Sequence, residues 1–317
     1  MERPYIDPPT DLLEARFRPM GYELRVLTNS GTILQAARTA YGGFGAGTEG
    51  VADFTLRIFE HPIDDGTLGE PLFRSDAASG LVYQTTGRDS TLVMDPGRGE
   101  ALAYVSPTTL GNEAFFRWHF LDFALFSLLE ARGFVGVHGA AVARQGRALL
   151  LRADCGQGKS TLTFAAARRR FQALAEDVVW IAPDHRRWWG TPWTFHLLPD
   201  APRLFPELHG YQAAVQLNGE RKIAISLEAL RPGSTTVSAA PGAVVLLLRA
   251  AGGRSRLEAL DTDTAWQMWL EGCSSREREH VPDYDQRIRS VLENPCYRLH
   301  FGDDIEAALD LLEPLFG

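Results

Sequence analysis

Nine consecutive residues, Ala153-Asp154-Cys155-Gly156-Gln157-Gly158-Lys159-Ser160-Thr161, have the chemistry to hold a chain of phosphates. Two glycines permit a tight turn whose bare amides can surround phosphate oxygens, Lys159 can reach the outer phosphates, and the Ser160 hydroxyl can ligate Mg²⁺. The usual pattern opens on glycine, and here Ala153 takes that place. A methyl group is tolerated there if the residue keeps an ordinary negative φ. Two further groups fall at telling distances: His138 before the loop and the neighbouring acids Glu176-Asp177 after it. The interval from residue 160 to residue 176 holds one short helix between two strands. That spacing sets the acids at a strand edge beside the phosphates.

The elements that must position these groups follow from apolar patterning. Residues 135–143 predict a strand bearing His138-Gly139, and Gln145-Gly146 predicts a turn. A strand over 148–151, the loop, and a helix from Lys159 to about Arg170 come next. Residues 178–181 form another strand directly after the acids. Later strands are expected at 193–197, 223–227, 244–248 and 297–301, a helix over 265–270, and an amphipathic helix from Asp303 onward with Ile305, Leu309 and Leu312 on one stripe. The polar stretch 274–282 reads as a loop. Upstream, residues 14–105 are short, often alternating segments punctuated by glycine, proline and aspartate, which predicts a strand-rich region. Asn112 can cap a helix that runs through Phe115, Phe116, Phe120, Leu121, Leu125 and Leu129 to Gly133. It is apolar around most of its circumference and is therefore expected to be buried on several sides.

Composition narrows the function. The chain has 317 residues, 45% hydrophobic and 23% charged, with a net charge of -8. That balance argues against a nucleic-acid partner, which wants a basic face. The densest basic cluster, Arg168-Arg169-Arg170, reads as a solvated helix end, because three consecutive helical residues cannot share one face. Cys155, Cys273 and Cys296 have neither disulfide nor zinc spacing. No window reaches the roughly 18 apolar residues of a membrane span, and the first residues lack the character of a signal peptide, so a cytoplasmic location is expected. Arg186-Arg187-Trp188-Trp189-Gly190 is a basic–aromatic segment that serves either as a substrate gate or as a surface turn anchored by its tryptophans. Tyr211, Arg221 and Lys222 are further candidates for the acceptor side.

The stretches Val137-His138-Gly139-Ala140-Ala141-Val142, Gly158-Lys159-Ser160-Thr161-Leu162 and Ala175-Glu176-Asp177-Val178-Val179 resemble, in order and spacing, the HPr kinase/phosphorylase group and, more distantly, PEP carboxykinase. The resemblance implies an α/β fold in which an HPr kinase-like mixed-sheet phosphate-loop core (residues 135–317) is joined by a buried helix (111–134) to a strand-rich N-terminal region (1–110). It implies ATP and Mg²⁺ as cofactors. Nucleotide would lie on Asp154, Cys155, Gly156, Gln157, Gly158, Lys159, Ser160 and Thr161, and the metal on Ser160 and Asp177. The catalytic residues would be His138, Lys159, Glu176 and Asp177, with Glu176 as base. The family carries aspartate where Glu176 stands. That acid is one methylene longer, and a misplacement of about 1 Å can cost on the order of 100-fold in rate. The family's glycine-rich arginine motif has no equivalent here, so HPr itself, the reverse reaction and the usual hexamer are not implied. The expectation is an ATP-dependent kinase acting on a hydroxyl of a peptide, protein or small metabolite, with no membrane partner and a homo-oligomer left open. A nucleotide-binding regulatory or scaffold protein, and a simple NTPase, are the alternatives.

Overall fold

The chain divides into two units, Met1–Arg132 and Gly133–Gly317, each packed mainly on itself. The structure, a computed structural model, describes residues 11–154, 156–250, 252–272 and 283–316. It is an α/β fold with mixed sheets.

The first unit holds β1 (Leu13–Phe17), β2 (Leu24–Thr28), β3 (Phe54–Glu60), β4 (Pro71–Asp76), β5 (Leu81–Thr86), β6 (Ser90–Asp95) and β7 (Glu100–Val105) in one sheet of order β1-β2-β3-β7-β6-β5-β4. The β2–β3 and β3–β7 pairs are parallel. Inward residues alternate with outward ones, as in β6, where Ser90, Leu92 and Met94 are buried. Helix α1 (Gly31–Tyr41) buries Ile33, Leu34, Ala37, Ala40 and Tyr41, a helical 3–4 spacing. The expectation of a strand-rich region over 14–105 did not single out this helix.

The apolar helix comes in pieces: α2 (Pro107–Gly111), α3 (Glu113–Phe116), a π-type segment (Arg117–Asp122) and α4 (Phe123–Glu130). Asn112 Oδ1 accepts from the Phe115 amide at 3.1 Å, as a cap should. The widened turn, in which the Phe123 amide bonds the Trp118 carbonyl, carries Asp122. Arg117 Nε reaches the Asp122 carboxylate at 3.2 Å. Burial, opposed by Arg117, pushes that carboxyl up to about 6.

The second unit contains β8 (Val135–His138), β9 (Ala140–Arg144), β10 (Arg147–Arg152), α5 (Lys159–Arg168), β11 (Gln172–Ala175), β12 (Val178–Ile181), β13 (Trp188–Trp189), β14 (Phe195–Leu197), β15 (Ala213–Val215), β16 (Arg221–Ile225), α6 (Leu227–Leu230), β17 (Ser238–Arg249), β18 (Arg256–Leu260), α7 (Thr262–Glu271), α8 (Tyr284–Val291), β19 (Cys296–Phe301) and α9 (Ile305–Leu312). Nine strands follow the order β11-β9-β10-β17-β13-β12-β8, with β19 on β17 and β18 on β19. β17 is parallel to both β10 and β19. Alternation splits the strands between two cores. Leu149, Leu151, Val245 and Leu247 face α5 and its neighbours, while Ala148, Leu150, Val244 and Leu246 face α7 and α8. Such two-faced burial explains why β10 and β17 read as continuous apolar runs. A separate sheet, β14-β16-β15, completes the unit.

The strand expected over 135–143 is two strands. It breaks at Gly139, where β8 leaves to pair with β12 while β9 pairs with β10 and β11. An added Cβ at Gly139 would meet the Leu151 carbonyl oxygen at 3.0 Å. The basic–aromatic segment is β13, whose Trp188 lies in the core and whose partners are β12 and β17. The loop expected over 274–282 lies outside the described residues.

Candidate functional site

β10 and α5 flank the loop. Gly156 (φ +78°) and Gly158 (φ +92°) both occupy the left-handed region that favours glycine, and a Cβ at Gly158 would also meet the Phe301 ring at 2.7 Å. Ala153 is not among the positive-φ residues, which is the condition under which alanine fits there. Cys155 lies outside the described residues. Lys159, 8% exposed, folds back over the turn, donating from Nζ to the carbonyls of Ala153 (2.7 Å) and Asp154 (3.1 Å). Gln157 Oε1 accepts from the Arg249 amide at 3.0 Å, tying the turn to the end of β17. Thr161 lies in the first turn of α5.

Two chain crossings lie side by side next to this loop. Gly139 links β8 to β9, Glu176-Asp177 links β11 to β12, and the Gly139 amide donates to the Asp177 carbonyl at 2.8 Å. The β8–β12 register puts His138 opposite Val178, so the imidazole falls beside Asp177, with Nδ1 3.2 Å from Oδ1. Asp177 is open to solvent, its side chain 60% exposed. The His138 hydrogen bond, working against burial, holds its carboxyl below the ordinary carboxylate range, and the charges of Lys159 and Lys222 act in the same direction. Glu176 is the enclosed partner, its side chain 11% exposed. It accepts from Ser160 Oγ at 2.5 Å and lies 3.6 Å from His196 Nδ1. The hydroxyl that the resemblance assigns to a metal together with Asp177 is thus hydrogen-bonded to Glu176.

The structure therefore brings Lys159, Ser160, Glu176, Asp177 and His138 together. It adds Arg152 and His196 to the set and brings to it Lys222, one of the acceptor-side candidates. Arg152, buried and stacked over Trp269 at 4.3 Å, donates to the His138 carbonyl at 2.7 Å and fixes that backbone. His196 and Lys222 come from β14 and β16, where His196 lies across from Ala224, two residues from Lys222 and so on the same face. Burial works against the Lys222 ammonium. Glu220 at 2.9 Å and the charges of Glu176 and Asp177 nevertheless hold it above its ordinary value. Arg221 belongs to the opposite strand face and donates to the Ala213 carbonyl. Tyr211 is exposed. The only sequence cue for His196 is its place between the buried Phe195 and Leu197, which marks a strand face and not a function.

Chemically, the Ser160 hydroxyl and the Glu176 carboxylate put oxygen donors side by side, with Asp177 next in the chain, and oxygen donors suit a hard cation such as Mg²⁺. Beside it a turn with two left-handed glycines, a lysine and a helix N-terminus suit an anion. The residues fit a metal–phosphate group. No helix among the described residues is long and apolar enough to cross a membrane.

No protein-family model matches the chain, and no curated protein matches it. Among solved structures, the Hpr(Ser) kinase/phosphatase from Coxiella burnetii is similar over 56% of this chain and 88% of that one, at 10% identity and a TM-score of 0.29. The likeness is distant and of low identity, and by itself it assigns neither a family nor any residue's role to this chain.

Proposed function

We propose that the second unit transfers the γ-phosphoryl group of ATP to a hydroxyl of a peptide, protein or small metabolite. The observation that carries this reading is the division of the two acids at the loop: Ser160 with Glu176 at 2.5 Å and His138 with Asp177 at 3.2 Å. The amides of the 156–160 turn bind phosphate oxygens, and Lys159 exchanges its two carbonyl partners for the outer phosphates. With its proton committed to Glu176, the Ser160 hydroxyl would keep its lone pairs for Mg²⁺, and Glu176 would supply negative charge beside it. Mg²⁺, when bound, neutralises charge on the phosphates. Asp177, ionised and open to solvent, receives the acceptor's hydroxyl proton as the new O–P bond forms and the bond to the departing ADP breaks, while His138 orients that carboxylate. The two acids thereby exchange the roles the resemblance implies.

The test is incubation with ATP and Mg²⁺ in the presence of candidate acceptors drawn from the products of neighbouring genes, with mass spectrometry of the phosphorylated hydroxyl. Lys159→Ala is expected to lower transfer by on the order of 10²–10³-fold. Transfer undiminished in that variant overturns the reading. ATP binding without transfer to any acceptor favours the regulatory alternative.

A further inference from the structure

At the far end of α5 from the loop lies a cavity of ≈ 430 Å³ lined by Arg168, Arg169, Arg170, Phe171, Arg231 and Glu313. Helical geometry would scatter three consecutive arginines, but the helix ends at Arg168. Arg169 leaves it with φ -91° and ψ -123°, so the next residues turn to line one space. Partners then separate the cations into two classes. Arg168 is paired with Glu207 at 2.6 Å, and Arg169 with Glu306 and Asp310. Glu313, the acid in the lining, is committed to Arg144. Arg231 meets no acid among the described residues. One of its nitrogens donates to the Arg168 carbonyl, which pins the guanidinium at the cavity. Arg170 is exposed, and among the described residues it has no ion pair or hydrogen bond.

Two guanidinium groups without counter-charges thus border a concave space that falls within the usual range for small-molecule sites. A guanidinium presents planar, paired donors that match phosphate oxygens, and two such forks suit a tetrahedral dianion. The nearby carboxylates already serve Arg168, Arg169 and Arg144, which leaves an external anion to balance Arg170 and Arg231. We propose that this cavity binds the phosphate group of a small molecule, at a site distinct from the loop and independent of the kinase reading.

The test is calorimetric titration at low salt with pyrophosphate, glucose 6-phosphate and citrate, in a Lys159→Ala background that removes the loop as a competing phosphate site. Pyrophosphate or glucose 6-phosphate is expected to bind with Kd below about 1 mM. Arg170→Ala and Arg231→Lys are each expected to weaken that binding by about tenfold or more, and added salt should weaken it further. Arg170 is exposed, so its replacement leaves the fold intact and keeps the test decisive if Arg231→Lys disturbs the end of α5. Stronger binding of glucose 6-phosphate assigns an esterified phosphate, and stronger binding of pyrophosphate an inorganic one. Absence of binding below about 1 mM by both, equal affinity in Arg170→Ala, or citrate binding more tightly than either overturns the proposal.

Discussion

Glu176 and Asp177 are neighbours in sequence, yet one is enclosed against Ser160 and His196 while the other faces solvent beside His138. Under the proposed function they fail differently. Asp177→Asn is expected to lower kcat by on the order of 10²–10⁴-fold at every Mg²⁺ concentration, as loss of a general base does. Glu176→Gln is expected to raise the Mg²⁺ needed for half-maximal rate. Steady-state titrations of Mg²⁺ against both variants check this, and the opposite pattern restores the assignment the resemblance implied. The lowered Asp177 value carries a sign: the base stays ionised below the ordinary carboxylate range, and activity falls only as pH drops through that lower value. Asp122 behaves in the reverse sense. Its carboxyl is pushed up to about 6 from the unperturbed 3.8, so folding takes up a proton between those values. Stability then declines as pH rises through that window, by about 3 kcal/mol in all, and levels off above it. Asp122→Asn is expected to recover up to about 3 kcal/mol above pH 6 and to match the parent below pH 4, less whatever Arg117 loses with its partner. Urea unfolding followed by circular dichroism across pH 4–8 reads the difference.

Among the elements, those with a strong local signal were legible and those defined by a distant contact were not. The helix after Lys159 follows from the glycine turn before it, while the helix at Asn112 and the closing helix follow from caps and apolar spacing, and Asp304 Oδ1 accepts from the Ala307 amide at 3.0 Å. Helix α1 has a helical spacing in Ile33, Leu34, Ala37 and Tyr41, but much of its sequence is glycine, alanine and threonine set among strand signals. The break at Gly139 was marked only by the glycine itself, and what requires it is a carbonyl of β10. The π-type turn at Arg117–Asp122, which buries Phe120 and Leu121, carries no proline or glycine to announce it. Gly190 makes the same point testable. A Cβ there would lie 1.8 Å from the Leu174 carbonyl oxygen, in the strand that leads to Glu176. Gly190→Ala is expected to destabilise the second unit by on the order of 3 kcal/mol or more, because the clash is with backbone that cannot rotate away. Thermal unfolding with an unchanged midpoint contradicts it.

For the molecule as a whole, the division into two units decides what a probe reports. Of the 7 tryptophans, Trp118 alone precedes residue 133, so intrinsic fluorescence follows the second unit. ATP with Mg²⁺ at about 100 times its Kd is expected to stabilise that unit by about 2.7 kcal/mol. The fluorescence Tm should rise by roughly 5–10 °C, and Lys159→Ala should abolish the rise. A Tm indifferent to nucleotide in the parent chain sinks the nucleotide site. The sequence by itself determined the loop, the helix behind it and the interval that sets two acids near it, because turn chemistry and helix periodicity act between close neighbours. Tertiary structure alone decided that Ser160 takes Glu176 and His138 takes Asp177, that His196 and Lys222 join them from another sheet, and that Arg168, Arg169 and Arg170 gather at one cavity with Arg231. Each of these is a meeting of residues far apart in the chain, or a place where an element stops, and strand register and backbone crowding are settled only when the sheets pack.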